Sequence, residues 1–271
     1  GGDGLPPTSK EVPYDFMKTL ILTPNKNEMC GMYQLAKDLA KEFDGDIMTK
    51  GDMILYEDLY ENYKQVITLM YPMHKHGKYF KKNFGIKWLC YNQGIPPVTK
   101  TYFPNFWRRQ AMRYINWRNN ATMQGADEYW DVTEREQKPK WTEKLKSISN
   151  AGLNRQNYAL YLGRRIDYKN FEWLKKTMKE LQIQFEYSEN WDDRNVYDWL
   201  SNAKMLVTAS LWEGYGRPVM EAEALGIPAV AYDVGSHKRH IKKGICVPLS
   251  IDNIDVSEAL FKEAILKVWN R

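Results

Sequence analysis

The sequence predicts an α/β protein built of two Rossmann-like units, each with its own parallel sheet. Three observations carry this expectation. Short β-prone runs alternate with amphipathic helical stretches along the chain. The alternation breaks once, over residues 134–152 (EREQKPKWTEKLKSISNAG), which are charged, polar and weakly patterned, and then begins again. Finally, Leu211–Val230 (LWEGYGRPVMEAEALGIPAV) reads as a glycine loop, a helix and a strand, directly after the apolar run Met205–Thr208.

The elements follow in order. Thr19–Thr23 (TLILT) is a strand candidate, broken by Pro24 and Asn25. The loop PNKNEMCG leads into a helix whose buried face is Met32, Leu35, Ala36, Leu39, Ala40 and Phe43. Further β-prone runs are Asp46–Thr49, Gln65–Met70 and Ile86–Tyr91, separated by helical or loop material that includes Glu57–Lys64. A basic, aromatic helix is expected over 105–120, with Trp107, Ala111, Tyr114 and Ile115 on one stripe and Arg109 and Arg113 on another. Ala126–Thr133 reads as one more strand. In the second series, Tyr158–Leu162 is a strand, GRRIDYKN a tight loop, and Phe171, Leu174, Met178 and Leu181 one face of a helix. Ile183–Tyr187 is a strand and Val196–Asn202 a short helix. Pro218 suits a first helical turn, Gly226 an end, and Pro228 forbids continuation. Ala229–Tyr232 and Ile245–Pro248 are strands. Ser257–Asn270 is a closing helix with Ala259, Leu260, Ala264, Ile265 and Val268 turned inward. The expected organisation is a flexible tail (1–15), a first unit (16–150) and a second unit (151–271), with the last helix packing back on the first unit.

Bulk properties narrow the class. Of 271 residues, 43% are hydrophobic and 27% charged, which suits a globular protein with a sizeable core. Aromatic content is high at 14%, and the formal charge of +5 is mild. Cys30, Cys90 and Cys246 are odd in number and far apart, which argues against a disulfide framework or a zinc knuckle. His74 and His76 read as solvated loop residues rather than metal ligands. No apolar run is long enough to span a bilayer, and no secretory pattern is present.

Two loops carry the candidate chemistry. Glu213 precedes the glycine loop and Glu221 lies one turn into the following helix, where a carboxylate near the helix N-terminus is favourable in any case. Taken with Gly214, Gly216, Pro218 and Gly226, the pair points to a site. A carboxylate at a loop end can accept hydrogen bonds from vicinal hydroxyls, and the exposed N–H groups expected at Tyr215 and Gly216 can bind phosphate. Both features together suit a sugar nucleotide. In the first loop of the second unit, Gly163, Arg164, Arg165 and Lys169 form a basic turn. A loop there opens beyond the carboxyl end of a strand, where ligands bind, so Arg164 and Lys169 are expected on a diphosphate. The plainest reading of the 105–120 helix has its aromatics packed inward; docking on an anionic membrane surface and binding nucleic acid are the alternatives.

EGYGRPVMEAEALGIPAV resembles the signature of retaining glycosyltransferases of the family-four type, E-G-[FY]-G-x-P-x-x-E-A-x-A-x-G-x-P-V. YLGRRIDYKN is similar to their upstream V-G-R-…-K loop and precedes the signature, as in the family. The resemblance covers about 155–250 and implies the GT-B fold, two Rossmann-like domains facing each other across a cleft with the donor held mainly by the second. By position it places Glu213 on hydroxyls of the donor sugar and Glu221 on the ribose. It places Arg164 and Lys169, with the N–H groups of Tyr215 and Gly216, on the diphosphate. It implies a UDP- or GDP-sugar donor, no cofactor, no catalytic metal, and a same-face displacement that keeps the anomeric configuration.

Three departures bear on that reading. The first domain is short for the family. Where many relatives have a histidine after the fourth strand, CYNQG offers Asn92 and Gln93, so Asn92 is a candidate substrate contact. Downstream, VGSHKRH puts His237 and Lys238 where the family often has an acidic residue. The expectation is a cytoplasmic hexosyltransferase with an unknown acceptor and room for peripheral membrane contact. The rivals are an inactive nucleotide-sugar-binding protein, or a membrane-surface or nucleic-acid-binding protein using the 105–120 helix.

Overall fold

The computed structural model describes residues 18–24, 26, 31–49, 51–53, 62–92, 94, 96–131, 155–187 and 193–271. The expected tail and linker lie outside the described residues. The contacts divide the chain into two compact units, one of residues 1–92 and 119–130 and one of residues 93–118 and 131–271. Residues 93–118 therefore cluster with the C-terminal half, although they follow the fourth strand of the N-terminal sheet.

The first unit holds strands β1 (Lys18–Leu22), β2 (Gly45–Met48), β3 (Tyr63–Leu69), β4 (Lys87–Asn92) and β5 (Glu128–Asp131), in the order β2-β1-β3-β4-β5. β1 pairs in parallel with β2 and β3, and β3 with β4. Helices α1 (Gly31–Glu42) and α2 (Tyr71–Phe84) are its crossovers. β1 reads as a continuous apolar run because its side chains are buried on both faces. Leu20, Leu22, Val66, Met73, Phe80, Trp88 and Cys90 pack together on one side of the sheet. The indole of Trp88 lies against Gly77 so closely that a side chain there would overlap the ring.

His74 and His76 fall on α2, not in a loop, and His74 is fully buried. Trp88 Nε1–H donates to Thr68 Oγ1 at 2.8 Å, and that hydroxyl lies 2.9 Å from His74 Nδ1. Burial holds the imidazole pKa down at about 4, so the ring is a neutral partner in a core network. Alternate spacing in sequence could not distinguish this from a solvated pair.

The second unit holds β6 (Ala159–Tyr161), β7 (Phe185–Tyr187), β8 (Met205–Thr208), β9 (Ala229–Tyr232) and β10 (Ile245–Val247), in the order β10-β9-β8-β6-β7 with every pair parallel. Counted from its own first strand this is the order of the first unit, so the two halves repeat one topology. The repeat explains why the sequence alternates twice. Side chains alternate across the sheet: Tyr161, Met205, Val207, Val230 and Tyr232 enter one core layer, and Leu160, Leu162, Leu206, Ala229 and Ala231 the other. The helices are α4 (Phe171–Glu180), α5 (Asp193–Asn202), α6 (Arg217–Ala224), α7 (His237–His240) and α8 (Ile254–Trp269); of the helix α3 (Phe106–Met123), residues 106–118 belong to this unit and residues 119–123 to the first.

α8 packs on its own unit's sheet, and the tilted rings of Phe261 and Tyr232 meet with centroids 4.5 Å apart. Its buried face is Ser257, Phe261, Ala264, Ile265 and Val268, while Ala259 and Leu260 are exposed, contrary to the sequence expectation. The inward arc is set by Phe261, which the apolar count passed over in favour of two flanking residues.

His74 gives this fold an acid-labile point. The unfolded chain takes up the imidazole proton near 6.5, whereas the folded protein resists until about 4. Stability is therefore expected to fall as pH drops through that window, by on the order of 3 kcal/mol in total. Urea denaturation across the window should show the loss, and His74→Gln should flatten its pH slope even if the variant is less stable throughout. An unchanged slope would show that the histidine does not carry the effect.

Candidate functional site

In an open parallel sheet, ligands bind beyond the carboxyl ends of the strands, where neighbouring strands send their connections to opposite faces. In the second unit that point lies between β6 and β8. The loops that leave these strands carry the basic turn and the glycine loop. β6 is followed by residues 162–166, a single 3-10 turn, Asp167–Lys169, and Asn170 in the left-handed conformation. Gly163 is required by close approach: a Cβ there would come within 2.6 Å of the Tyr161 hydroxyl. That hydroxyl donates to Arg164 O at 2.9 Å and fixes the start of the loop.

The two adjacent arginines have separate roles. The Arg165 guanidinium lies 4.9 and 4.8 Å from the ring centroids of Phe171 and Tyr187, an aromatic seat that explains its presence structurally. Arg164 is exposed, and both it and Glu213 act electrostatically on the Tyr161 and Tyr168 hydroxyls.

The second loop is tied to the first through the backbone, where Leu211 N–H donates to Tyr168 O at 2.8 Å. Lys169 and Glu213 form a direct ion pair whose side chains are 13% and 14% exposed. Burial pushes the Glu213 carboxyl up, but Lys169, His237 and a hydrogen bond from Ser210 outweigh it and hold the group below the usual range. Glu213 is therefore a fixed carboxylate. Gly216, with φ 67°, caps α6, and Pro218 sits in its first turn. Among the described residues no side chain caps the start of this helix, whose positive dipole end favours an anion.

Glu221 lies one turn further on and behaves differently. Desolvation pushes its pKa up to about 7, partly offset by Arg217. Among the described residues no hydrogen bond holds its carboxylate. Glu223, two residues on, has structural partners: it accepts from Lys243 N–H at 2.9 Å and Gly244 N–H at 3.0 Å, which anchors the strand β10 approach.

A third segment, after β9, completes the site. Gly235 adopts φ 57°, and a Cβ there would come within 2.6 Å of Glu213 O. The Ser236 hydroxyl donates to Tyr215 O. His237 is fully buried, its Nδ1 donates to Tyr232 O at 2.9 Å, and its ring edge abuts Gly216 where a side chain would otherwise go. Its Nε2 is buried and has no hydrogen-bond partner among the described residues. An orphaned buried nitrogen beside a helix cap is costly unless something else meets it.

The structure thus brings together Lys169, Glu213, Gly214, Tyr215, Gly216 and His237, with Gly163 and Arg164 in the same loop as Lys169. Glu221 is on the helix that begins there. Asn92 ends β4 in the other unit. His237 is the residue that sequence reasoning undervalued; its signal was the break from the expected pattern in VGSHKRH. Among the described residues, no group of three or more His, Cys, Asp or Glu side chains is placed to hold a metal ion. None of the described helices is long and apolar enough to cross a membrane.

Removing Lys169 should leave Glu213 as a buried, unbalanced charge. Lys169→Met is expected to cost about 3 kcal/mol in urea denaturation, with much of the loss recovered in the Lys169→Met/Glu213→Leu double variant. No recovery would mean that the pair contributes little through charge.

Comparison with solved structures shows the same architecture elsewhere. The sucrose-phosphate synthase of Thermosynechococcus elongatus superposes with a TM-score of 0.62 at 16% identity, covering 93% of this chain and 91% of that one. WaaG, a glycosyltransferase involved in lipopolysaccharide biosynthesis, gives 0.52 at 12% identity, covering 93% and 90%. Among curated proteins, none matches the chain by sequence. At these identities the likeness is one of fold, and that fold is GT-B. The family model described as "Glycosyl transferases group 1" matches residues 167–265, a span that contains Lys169, Glu213, Glu221 and His237.

Proposed function

We propose that the protein is a retaining, metal-independent glycosyltransferase that moves a hexose from a UDP- or GDP-sugar to an acceptor of unknown identity. The observation that carries this reading is the buried Lys169–Glu213 pair beside the cap of α6, inside the span that matches the family. A nucleoside diphosphate sugar needs cations and N–H donors for its diphosphate and acceptors for its hydroxyls. This site offers both.

In this reading Arg164, Lys169 and the N–H groups of Tyr215 and Gly216 bind the diphosphate. Glu213 accepts hydrogen bonds from the sugar, and Glu221 from the ribose. As the bond from the anomeric carbon to the phosphate oxygen breaks, negative charge grows on that oxygen, and Lys169 and the start of α6 stabilise it. The acceptor hydroxyl attacks on the same face and gives its proton to the departing phosphate. His237 is suitably placed to add a hydrogen bond near Gly216. Asn92 is assigned to substrate on the resemblance alone. A cytoplasmic setting fits the unbridged thiols of Cys90 and Cys246.

A panel of nucleotide sugars, followed by thermal shift and by transfer or hydrolysis, tests the proposal. At least one donor should stabilise the protein and turn over slowly. Glu213→Ala should abolish the shift, and Arg164→Ala should weaken binding about tenfold or more, as loss of a charge-assisted contact implies. If no donor binds, or Glu213→Ala leaves the shift unchanged, the reading fails; binding without turnover of any acceptor would favour an inactive donor-binding protein.

The pH dependence of donor binding supplies a second check. The free Glu221 carboxyl titrates at about 7, and hydroxyl donors favour its ionised form. Affinity should therefore decline as pH falls below neutrality, by at most about tenfold per pH unit, and Glu221→Gln should flatten the decline. A decline that survives the substitution would assign it to another group.

A further inference from the structure

The helix α3 (Phe106–Met123, FWRRQAMRYINWRNNATM) holds four arginines and no acidic residue. Against the plainest sequence reading, its aromatics do not pack inward: Phe106 is 53% exposed, Trp107 77%, Tyr114 57% and Trp117 62%. At roughly 100° per residue, these four share one arc about 100° wide. Arg109 and Arg113 border that arc on one side and Arg118 on the other. The arc opposite turns Met112 onto the core of the second unit, so the helix is anchored by one face and presents the other. The aromatic face is organised within itself: Phe106 and Trp107 meet edge to face at 5.3 Å, and Tyr114 lies 5.9 Å from Trp117. Arg109 and Arg118 sit over the Phe106 and Tyr114 rings at 5.8 and 5.9 Å.

The start of the helix is fixed. Asn105 Oδ1 accepts from Arg108 N–H at 3.0 Å, and Arg109 donates to the carbonyls of Phe103 and Pro104. The Arg108 side chain pairs with Asp167 at 2.9 Å, in the same 3-10 turn that carries Lys169. The start of α3 is therefore tied by an ion pair to the loop of the candidate site.

We propose that this face of α3 docks the protein on the surface of an anionic lipid bilayer. Exposed aromatic area of this kind marks an interaction surface. A central aromatic stripe with cations at both borders matches a bilayer interface, where indole and phenol rings settle at the headgroup level and arginines reach lipid phosphates. Nucleic acid fits less well, because the cations would then be expected at the centre of the contact, facing the phosphates. The helix lies on the membrane rather than crossing it, in keeping with its polarity. Docking in this way would bring the Lys169 loop close to the lipid surface and suits an acceptor that is itself a lipid; the docking claim does not depend on the transferase reading.

The test is co-sedimentation of the whole chain with phosphatidylcholine vesicles and with phosphatidylcholine–phosphatidylglycerol vesicles. Binding is expected to the mixed vesicles and to weaken by about tenfold on phosphatidylcholine alone, with high salt acting in the same direction. Trp107→Ala/Trp117→Ala and, separately, Arg113→Glu should each reduce binding about tenfold. These side chains are exposed, and unchanged thermal midpoints would show that the variants fold. Donor-induced thermal shifts should persist in both, which separates failure of docking from failure of the site. Equal sedimentation of wild type and variants, or no sedimentation with either vesicle, would overturn the proposal. So would tighter binding to single-stranded RNA that is lost in the same variants, which would assign the face to nucleic acid.

Discussion

The buried pair of Lys169 and Glu213 is the constraint on which the second unit's functional end depends. Each residue comes from a different loop, one after β6 and one after β8. Neither charge is tolerable there without the other. To meet, the loops must be held in register, and the Leu211–Tyr168 backbone hydrogen bond does this. The third segment closes over the same point, since Gly235 must lack a side chain to pass Glu213 and Gly214. The ion pair thus explains the short 3-10 turn, the tight glycines and the buried histidine as parts of one arrangement.

The repeated strand order supplies the frame. Both units place their first strand at the point where the chain's winding reverses, and in the second unit the adjoining loops carry cations, glycines and a carboxylate. The fold offers the crevice; the residues decide whether it binds anything. In the first unit the comparable interior interest is spent on stability, in the Trp88–Thr68–His74 network under α2.

Much of this was legible in sequence, for physical reasons that can be named. Short continuous apolar runs revealed the strands and helical spacing most of the helices, because buried parallel strands must be apolar on both faces. Glycines next to charged residues revealed the site, because close backbone approach leaves few alternatives. What escaped depended on tertiary neighbours. An aromatic stripe on α3 has the same sequence pattern whether it faces core or solvent; only Met112 meeting the second unit's core settled it. His74 and His237 looked like polar residues in polar runs, but burial beside Thr68 made one a core partner for a hydroxyl, and burial against Gly216 left the other with an orphaned ring nitrogen. Ala259 and Leu260 shared the closing helix with Phe261, and the largest ring took the inward arc.

The central claim is that a nucleoside diphosphate sits at the carboxyl ends of β6 and β8. Backbone amide NMR during titration with UDP and with GDP tests it without requiring turnover or an acceptor. For whichever nucleotide binds, the account predicts the largest shifts at Gly163–Lys169, Gly214–Arg217 and Ser236–His237, with the His237 ring responding as its Nε2 gains a partner. Saturable shifts confined to α3 or to the first unit, with these segments unmoved, would contradict it.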